Sequence, residues 1–156
     1  MIVRPLNIGL VAHDAMKDLL AGWVDKNKNH LRPNNLFATG TTSRILSDAH
    51  ADLEITALKS GPLGGDQQLG ALICEGKLDA LVFFQDPMTA QPHDVDVKAL
   101  VRMSTLYDVA LACNPATADL IITNPDFFRI ASRTPESQEK NWQKYINRDV
   151  KEGFIT

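Results

Sequence analysis

Two cysteines in 156 residues, Cys74 and Cys113, are too few for a disulfide framework. Both lie inside apolar segments and are expected to be buried free thiols of a chain kept in a reducing compartment. Basic residues are outnumbered by acidic ones. The formal net charge is -3 and there is no dense Lys/Arg cluster, which argues against a nucleic-acid footprint. No apolar run approaches the length needed to cross a bilayer, so no membrane partner is expected. The opening "MIVRPLNIGLVAH" is not expected to act as a secretory signal, because Pro5 and Asn7 break its apolar run and no small-residue cleavage site follows. Repeats, low-complexity segments and linkers are absent too. One cytoplasmic domain over residues 1–156 is the expectation, with 135–156 as a polar C-terminal tail or helix carrying Trp142, Tyr145 and Ile146 at helical spacing. A chain of this length buries roughly two-thirds of its unfolded surface and needs no staples.

Short apolar runs alternate with helix-length amphipathic segments. "LNIGLVAH" (Leu6–His13) reads as a buried strand, followed by a helix over Ala15–Lys28. "NLFATG" is a second strand with a helix over Thr42–Ala49 behind it. "LEITALKS" is a third, less apolar and alternating, as befits a strand near an edge. "LDALVFF" and "DVALAC" are the fourth and fifth, separated by a helix over Val95–Leu106. "TADLIITNPDFFRI" reads as a helix, a break at Pro125 and a short second helix. Parallel neighbours need crossovers, so strands alternating with helices predict a three-layer α/β/α sandwich with a doubly wound, largely parallel five-stranded sheet. Runs without period 2, such as "LVFF", suit central strands covered on both faces.

Ligands of such a sheet sit at the carboxyl ends of its strands. The segments after the strands are therefore informative: "AHDAMK", "TGTTSR", "SGPLGGD", "QDPMTAQPHDVD" and "NPATAD" are all polar or Gly-rich, while the strands are apolar. His13 and Lys17 are one helical turn apart. "TGTTSR" offers hydroxyls and backbone N–H groups to a phosphate at a helix start, although a Thr N-cap after a tight turn accounts for it without a ligand. Asp66 comes directly after "GPLGG". The helix macrodipole alone favours an acid there, but a simple cap does not require such a density of glycine, which lets backbone N–H groups reach an anion. His93 and Asp96 lie three apart at a helix start, and imidazole shuttles protons near neutral pH. Asp14, Asp66, Asp86, Asp94 and His13 could be imagined around a divalent metal, but no HExxH-type spacing supports one, and none is expected. His30 and His50 look like surface residues.

"SGPLGGDQQLGALI", "FFQDPMTAQPHDVDVKALVR" and "NPATAD", with "VAHDAMK" and "ATGTT" upstream, closely resemble the methylglyoxal synthase family. The resemblance runs from about Leu6 to Asn124, in the same order and with nearly the same spacing. It implies a cofactor-free lyase of the same α/β/α fold that converts dihydroxyacetone phosphate to methylglyoxal and inorganic phosphate, usually as a homohexamer. Phosphate is then the product and a candidate inhibitor. On matching positions, Asp66 corresponds to the catalytic base and His93 to the histidine at the substrate oxygens. Asp96 and Asp86 correspond to further active-site carboxylates. His13, Lys17, Thr39, Gly40, Thr41, Thr42, Ser60 and Gly61 correspond to substrate and phosphate contacts. The family's C-terminal arginine, which reaches a neighbouring subunit's phosphate, has no clear match in "YINRDVKEGFIT"; Arg148 is the nearest candidate.

The residue types suit this chemistry in their own right. Removing a proton next to a carbonyl needs a carboxylate base and donors for the developing enediolate oxygen. Asp66 would be the base and a neutral His93 the donor, as in triosephosphate isomerase. Asp96 could orient His93 or relay a proton. Gln67 and Gln68 have no role in this reading. Two other classes remain: a domain of this fold that senses a phosphorylated metabolite without turning it over, and a metal-dependent phosphatase. A flavodoxin-like carrier fits poorly, since its phosphate loop should follow the first strand and "TGTTS" follows the second.

Overall fold

The apolar runs pair as one all-parallel sheet in the order β3-β2-β1-β4-β5, in a computed structural model that describes residues 4–127 and 143–148. The strands are β1 (Asn7–Ala12), β2 (Asn35–Thr39), β3 (Ile55–Leu58), β4 (Ala80–Phe84) and β5 (Ala110–Ala112). The helices are α1 (Lys17–Leu31), α2 (Gly40–Ala49), α3 (Gly65–Cys74), α4 (Asp94–Leu106) and α5 (Pro115–Thr123). Single 3-10 turns at Asp14–Met16 and Gly61–Leu63 lead into α1 and α3. β3 is indeed an edge strand, and its exposed Thr56 and Ala57 account for its weak apolar run.

The missing period 2 in β1 and β4 has a direct cause in the packing. Alternate residues Ile8, Leu10 and Ala12 of β1, with Ala80, Val82 and Phe84 of β4, meet Leu20, Trp23 and Val24 of α1, Leu46 of α2 and Ile122 of α5. The intervening Val11, Leu81 and Phe83 meet Leu69 and Ile73 of α3 and Val97 and Leu100 of α4. Both faces are covered, so both sets of side chains are apolar. This is the doubly wound α/β/α arrangement that the element order predicts. Between α1 and α5, Asp119 accepts from Trp23 Nε1 at 2.9 Å and from Asn27 Nδ2 at 3.2 Å.

Some expectations do not hold. Cys74, at the solvent end of α3, and Cys113, just past the short edge strand β5, are both exposed and unpaired. His50 is buried, at 5% exposure, because the turn after α2 folds back over it with Leu53 N–H donating to its carbonyl. Of the short helix expected after Pro125 only Asp126 and Phe127 are among the described residues and Trp142 is not, while Tyr145 and Ile146 are about half exposed.

Gly40 opens α2 directly against the loop after β3. A Cβ on it would stand 2.7 Å from both Cα and N of Ser60, so the two backbones could not keep their distance. Gly22, within α1, has nothing within 4 Å of the corresponding position. Gly40→Ala should therefore destabilise the fold by about 1–3 kcal/mol, whereas Gly22→Ala should stabilise it by roughly 0.5–1 kcal/mol. Urea unfolding of the two variants checks both signs.

Candidate active site

The sheet reverses its winding between β1 and β4, and a cleft of ≈ 240 Å³ opens at that end. His13 leaves β1 with its N–H donating to the carbonyl of Phe84 at the end of β4, so the cleft floor is sheet backbone. Four strand ends contribute to its walls: His13 and Lys17 after β1, Thr39, Thr41 and Thr42 after β2, Ser60, Gly61 and Asp66 after β3, and His93 after β4. The fifth does not. Asn114 caps α5 by accepting from Thr117 N–H at 2.9 Å, and Asp119 is taken by Trp23. "NPATAD" is thus structural in this arrangement.

One side of the cleft is built to attract an anion. Thr39 is the N-cap of α2, yet its side chain makes no capping hydrogen bond, and neither does that of Ser60 ahead of the 3-10 turn. The capping explanation of "TGTTSR" therefore fails at Thr39, and the helix start is left open toward the cleft. Lys17 contributes a cation there; its side chain is 14% exposed, and its ammonium is paired with the carboxylate of Asp14 at the rim. That ammonium holds the Asp14 carboxyl below the usual carboxylate range. Gly40, between Thr39 and Thr41, is needed for close approach to Ser60.

Asp66 faces this region from the first turn of α3. Gly64, with φ 108°, turns the chain into the helix, and a Cβ on Gly65 would lie 2.0 Å from the carbonyl oxygen of Lys59. Gly61 lies over the carboxylate, where a Cβ would stand 3.1 Å from Oδ2. The glycines thus permit the close packing that buries Asp66 to 4% exposure. Its Oδ2 has no hydrogen-bond partner. Burial, reinforced by the charge of Asp96, pushes the Asp66 carboxyl above its usual range, while His93 and His13 partly oppose this. A buried carboxylate with one oxygen free of hydrogen bonds and a raised pKa has the properties of a general base.

The two histidines complete the acid–base set. The Asp86 backbone N–H donates to Nδ1 of His13 at 2.9 Å, so the neutral ring carries its proton on Nε2. Nε2 is buried and unpartnered. Burial, with the charge of His93, holds the His13 imidazole below its ordinary value, so it stays a neutral donor. His93 stands 3.8 Å, Nε2 to Oδ2, from Asp66, and its ring centroid is 6.1 Å from that of His13. Its Nδ1 has no partner.

Two carboxylates expected at the site, Asp86 and Asp96, are not on the cleft wall. Asp86 folds its own loop instead, accepting from Met88 N–H at 3.0 Å, and serves the site through its main chain. Asp96 accepts from Gln67 Nε2 at 3.0 Å and makes no hydrogen bond to the buried Nδ1 of His93. Gln68 Oε1 accepts from Lys59 N–H at 2.7 Å, so both glutamines have partners that sequence alone could not name. Gln91, in the loop before α4, lines the cleft and was not singled out by the sequence; its only signal is membership of a polar strand-end loop. Arg148 lies in the separately described 143–148 segment, its guanidinium 3.4 Å over the ring of Tyr145. Among the described residues, no three His, Cys, Asp or Glu side chains are grouped so as to hold a metal ion, and no helix is long and apolar enough to cross a membrane.

The fold and the cleft together define a doubly wound α/β protein with a carboxylate–histidine site beside an anion-attracting helix start. The profile of the MGS-like domain family matches residues 20–113. The chain is 51% identical over 142 residues to the methylglyoxal synthase of Oleidesulfovibrio alaskensis, covering 91% of this chain and 94% of that one. It is 44% identical over 145 residues to that of Photorhabdus laumondii, covering 93% and 92%. The crystal structure of methylglyoxal synthase from Elizabethkingia anophelis superposes with a TM-score of 0.80 at 39% identity, covering 98% of this chain and 97% of the other. The chain belongs to the methylglyoxal synthase family.

The Asp66 shift carries a stability consequence of definite sign. Its native pKa is raised, so above the ordinary carboxylate value the native chain keeps a proton that the unfolded chain has released. Its contribution to stability therefore falls as pH rises through that window. Asp66→Asn removes the buried charge, and at pH 8 it should be more stable than wild type by about 1 kcal/mol. This gain should shrink toward pH 4. Urea unfolding at the two pH values tests it, and a variant less stable than wild type at pH 8 would contradict the reading.

Proposed function

We propose that this enzyme is a methylglyoxal synthase that eliminates inorganic phosphate from dihydroxyacetone phosphate, with Asp66 as the base. The observation that carries the proposal is the opposition, across one cleft, of a buried carboxylate with a free oxygen and an uncapped helix start next to a lysine. Family membership supports the reaction; the assignment of roles rests on chemistry.

Lys17, the Thr39–Thr42 turn and the Ser60–Gly61 pair would receive the phosphate group, placing the hydroxymethyl carbon toward Asp66. Asp66 takes a proton from that carbon. The C–H electron pair becomes the C=C bond of an enediolate, with charge on the former carbonyl oxygen. His13 offers an Nε2–H to that oxygen at no cost in reorganisation, because its partner at Nδ1 is already fixed. His93, with Nε2 3.8 Å from Asp66 Oδ2, serves as a second donor. Loss of the terminal hydroxyl proton then forms the aldehyde, the C=C pair moves one bond along, and the C–O bond to phosphate breaks with its pair leaving on phosphate. The remaining enolate takes a proton at its terminal carbon, which becomes the methyl group of methylglyoxal. No oxidant, reductant or water is consumed. Charge grows on the departing phosphate, so the cation and N–H groups that bind it also stabilise the transition state.

Purified protein with dihydroxyacetone phosphate should release phosphate and methylglyoxal in equal amounts, with EDTA present throughout. Asp66→Asn should lower kcat by about 10²–10⁴-fold while remaining folded. Turnover near wild type in that variant would falsify the assignment of the base, and loss of wild-type activity in EDTA would sink the metal-free mechanism. Added inorganic phosphate should compete with substrate.

A further inference from the structure

Gln67 is the residue after the base, in the first turn of α3. It is exposed, does not line the cleft, and donates from Nε2 to Oδ1 of Asp96 at 3.0 Å. Asp96 in turn stands in the first turn of α4, where its N–H donates to the carbonyl of His93 at 2.9 Å. The chain of contacts therefore runs from the helix start that carries Asp66 to the helix start that carries His93.

Neither reacting group is otherwise held in place by its own side chain. Asp66 Oδ2 and His93 Nδ1 have no hydrogen-bond partners. The 3.8 Å between Oδ2 and Nε2 of His93 is too long for a hydrogen bond, so the pair does not fix its own spacing. Leu69 and Ile73 of α3 pack with Val97 and Leu100 of α4, which keeps the helices side by side. Apolar packing is non-directional and tolerates a small slide along the helix axis. A hydrogen bond between the first turns is directional and resists it.

We propose that Gln67 is a positioning residue: through Asp96 it fixes the start of α3 against the start of α4 and so sets the gap between Asp66 and His93. This rests on the reading of Asp66 and His93 as the base and an oxygen donor. It also gives the two glutamines after the base separate duties. Gln68 ties α3 back to Lys59 at the anion side of the cleft, while Gln67 ties it forward to α4 at the proton-transfer side. A displacement of about 1 Å between reacting groups can cost on the order of 10²-fold in rate. An exposed tether, by contrast, contributes little to overall stability.

The test uses the full chain and dihydroxyacetone phosphate. Gln67→Met keeps the length of the side chain and removes the donor; it should lower kcat by about tenfold, with KM within about twofold and Tm within about 2 °C of wild type. Gln67→Lys restores an N–H donor to Asp96 and should recover kcat to within about threefold of wild type. Equal kcat for Gln67→Met and wild type overturns the proposal, as does a loss that appears in KM rather than kcat, or a Gln67→Lys variant as slow as Gln67→Met. If the Met variant fails to fold, Gln67→Ala is measured against the same criteria. The outcomes separate the tether from the reaction it serves. An active wild type with an inactive Asp66→Asn and an unaffected Gln67→Met removes only the tether, whereas a wild type without turnover removes both.

Discussion

The cleft depends on how tightly the chain is pinned at Lys59 and Ser60. The Lys59 carbonyl accepts from Gly40 N–H at 3.1 Å, its N–H is taken by Gln68, and the Ser60 carbonyl accepts from Gly65 N–H at 2.9 Å. Gly40 and Gly65 press on this dipeptide from two sides, each where a Cβ would collide with backbone. The start of α2 and the start of α3 are thereby fixed to one another chiefly through main chain, with the Gln68 side chain as an added tie. One presents open N–H groups and hydroxyls, the other a carboxylate, and the spacing between them is set mainly by peptide geometry. That suits a site which must hold one end of a small molecule while reacting at the other.

Against this rigid frame stands a local cost. Asp66 is buried with an oxygen unpaired, and the same burial that raises its proton affinity makes the charged form unfavourable. His13 carries the opposite burden, since its lowered proton affinity leaves a neutral ring with an unsatisfied Nε2. Neither feature strengthens the fold. Both are what a substrate with an acidic C–H and a developing oxyanion would satisfy, and groups that wait unsatisfied for a ligand are typical of catalytic clefts.

Much of this was legible in the residues. Apolar runs without alternation announced strands covered on both faces, and β3 was marked as marginal by its own polarity. The cluster of glycines before Asp66 pointed to close backbone contact, and Gly61, Gly64 and Gly65 each have a geometric reason. Contacts between distant segments were not legible. Nothing local says that Asp119 is claimed by Trp23 from α1, or that Asp86 acts through its amide. Polar flanks suggested a surface position for His50, and apolar flanks a buried one for the cysteines; burial at helix and strand ends depends on the path of the neighbouring turn, which local composition does not encode.

The strand order has a bearing on how the molecule comes into being. β1 pairs on one side with β2, soon after it in the chain, and on the other with β4, where Ile8 lies beside Ala80. This second pairing closes the longest loop in the sheet, and non-local closures of that kind are the slow, entropically expensive steps of folding. The anion side of the cleft, made from the ends of β1, β2 and β3, comes from residues that all precede β4 in the chain. His93 and the amide that fixes the His13 tautomer arrive only afterwards. The two halves of the cleft therefore lie on either side of the sheet's longest closure, and only when β4 has docked beside β1 does His93 come to face Asp66.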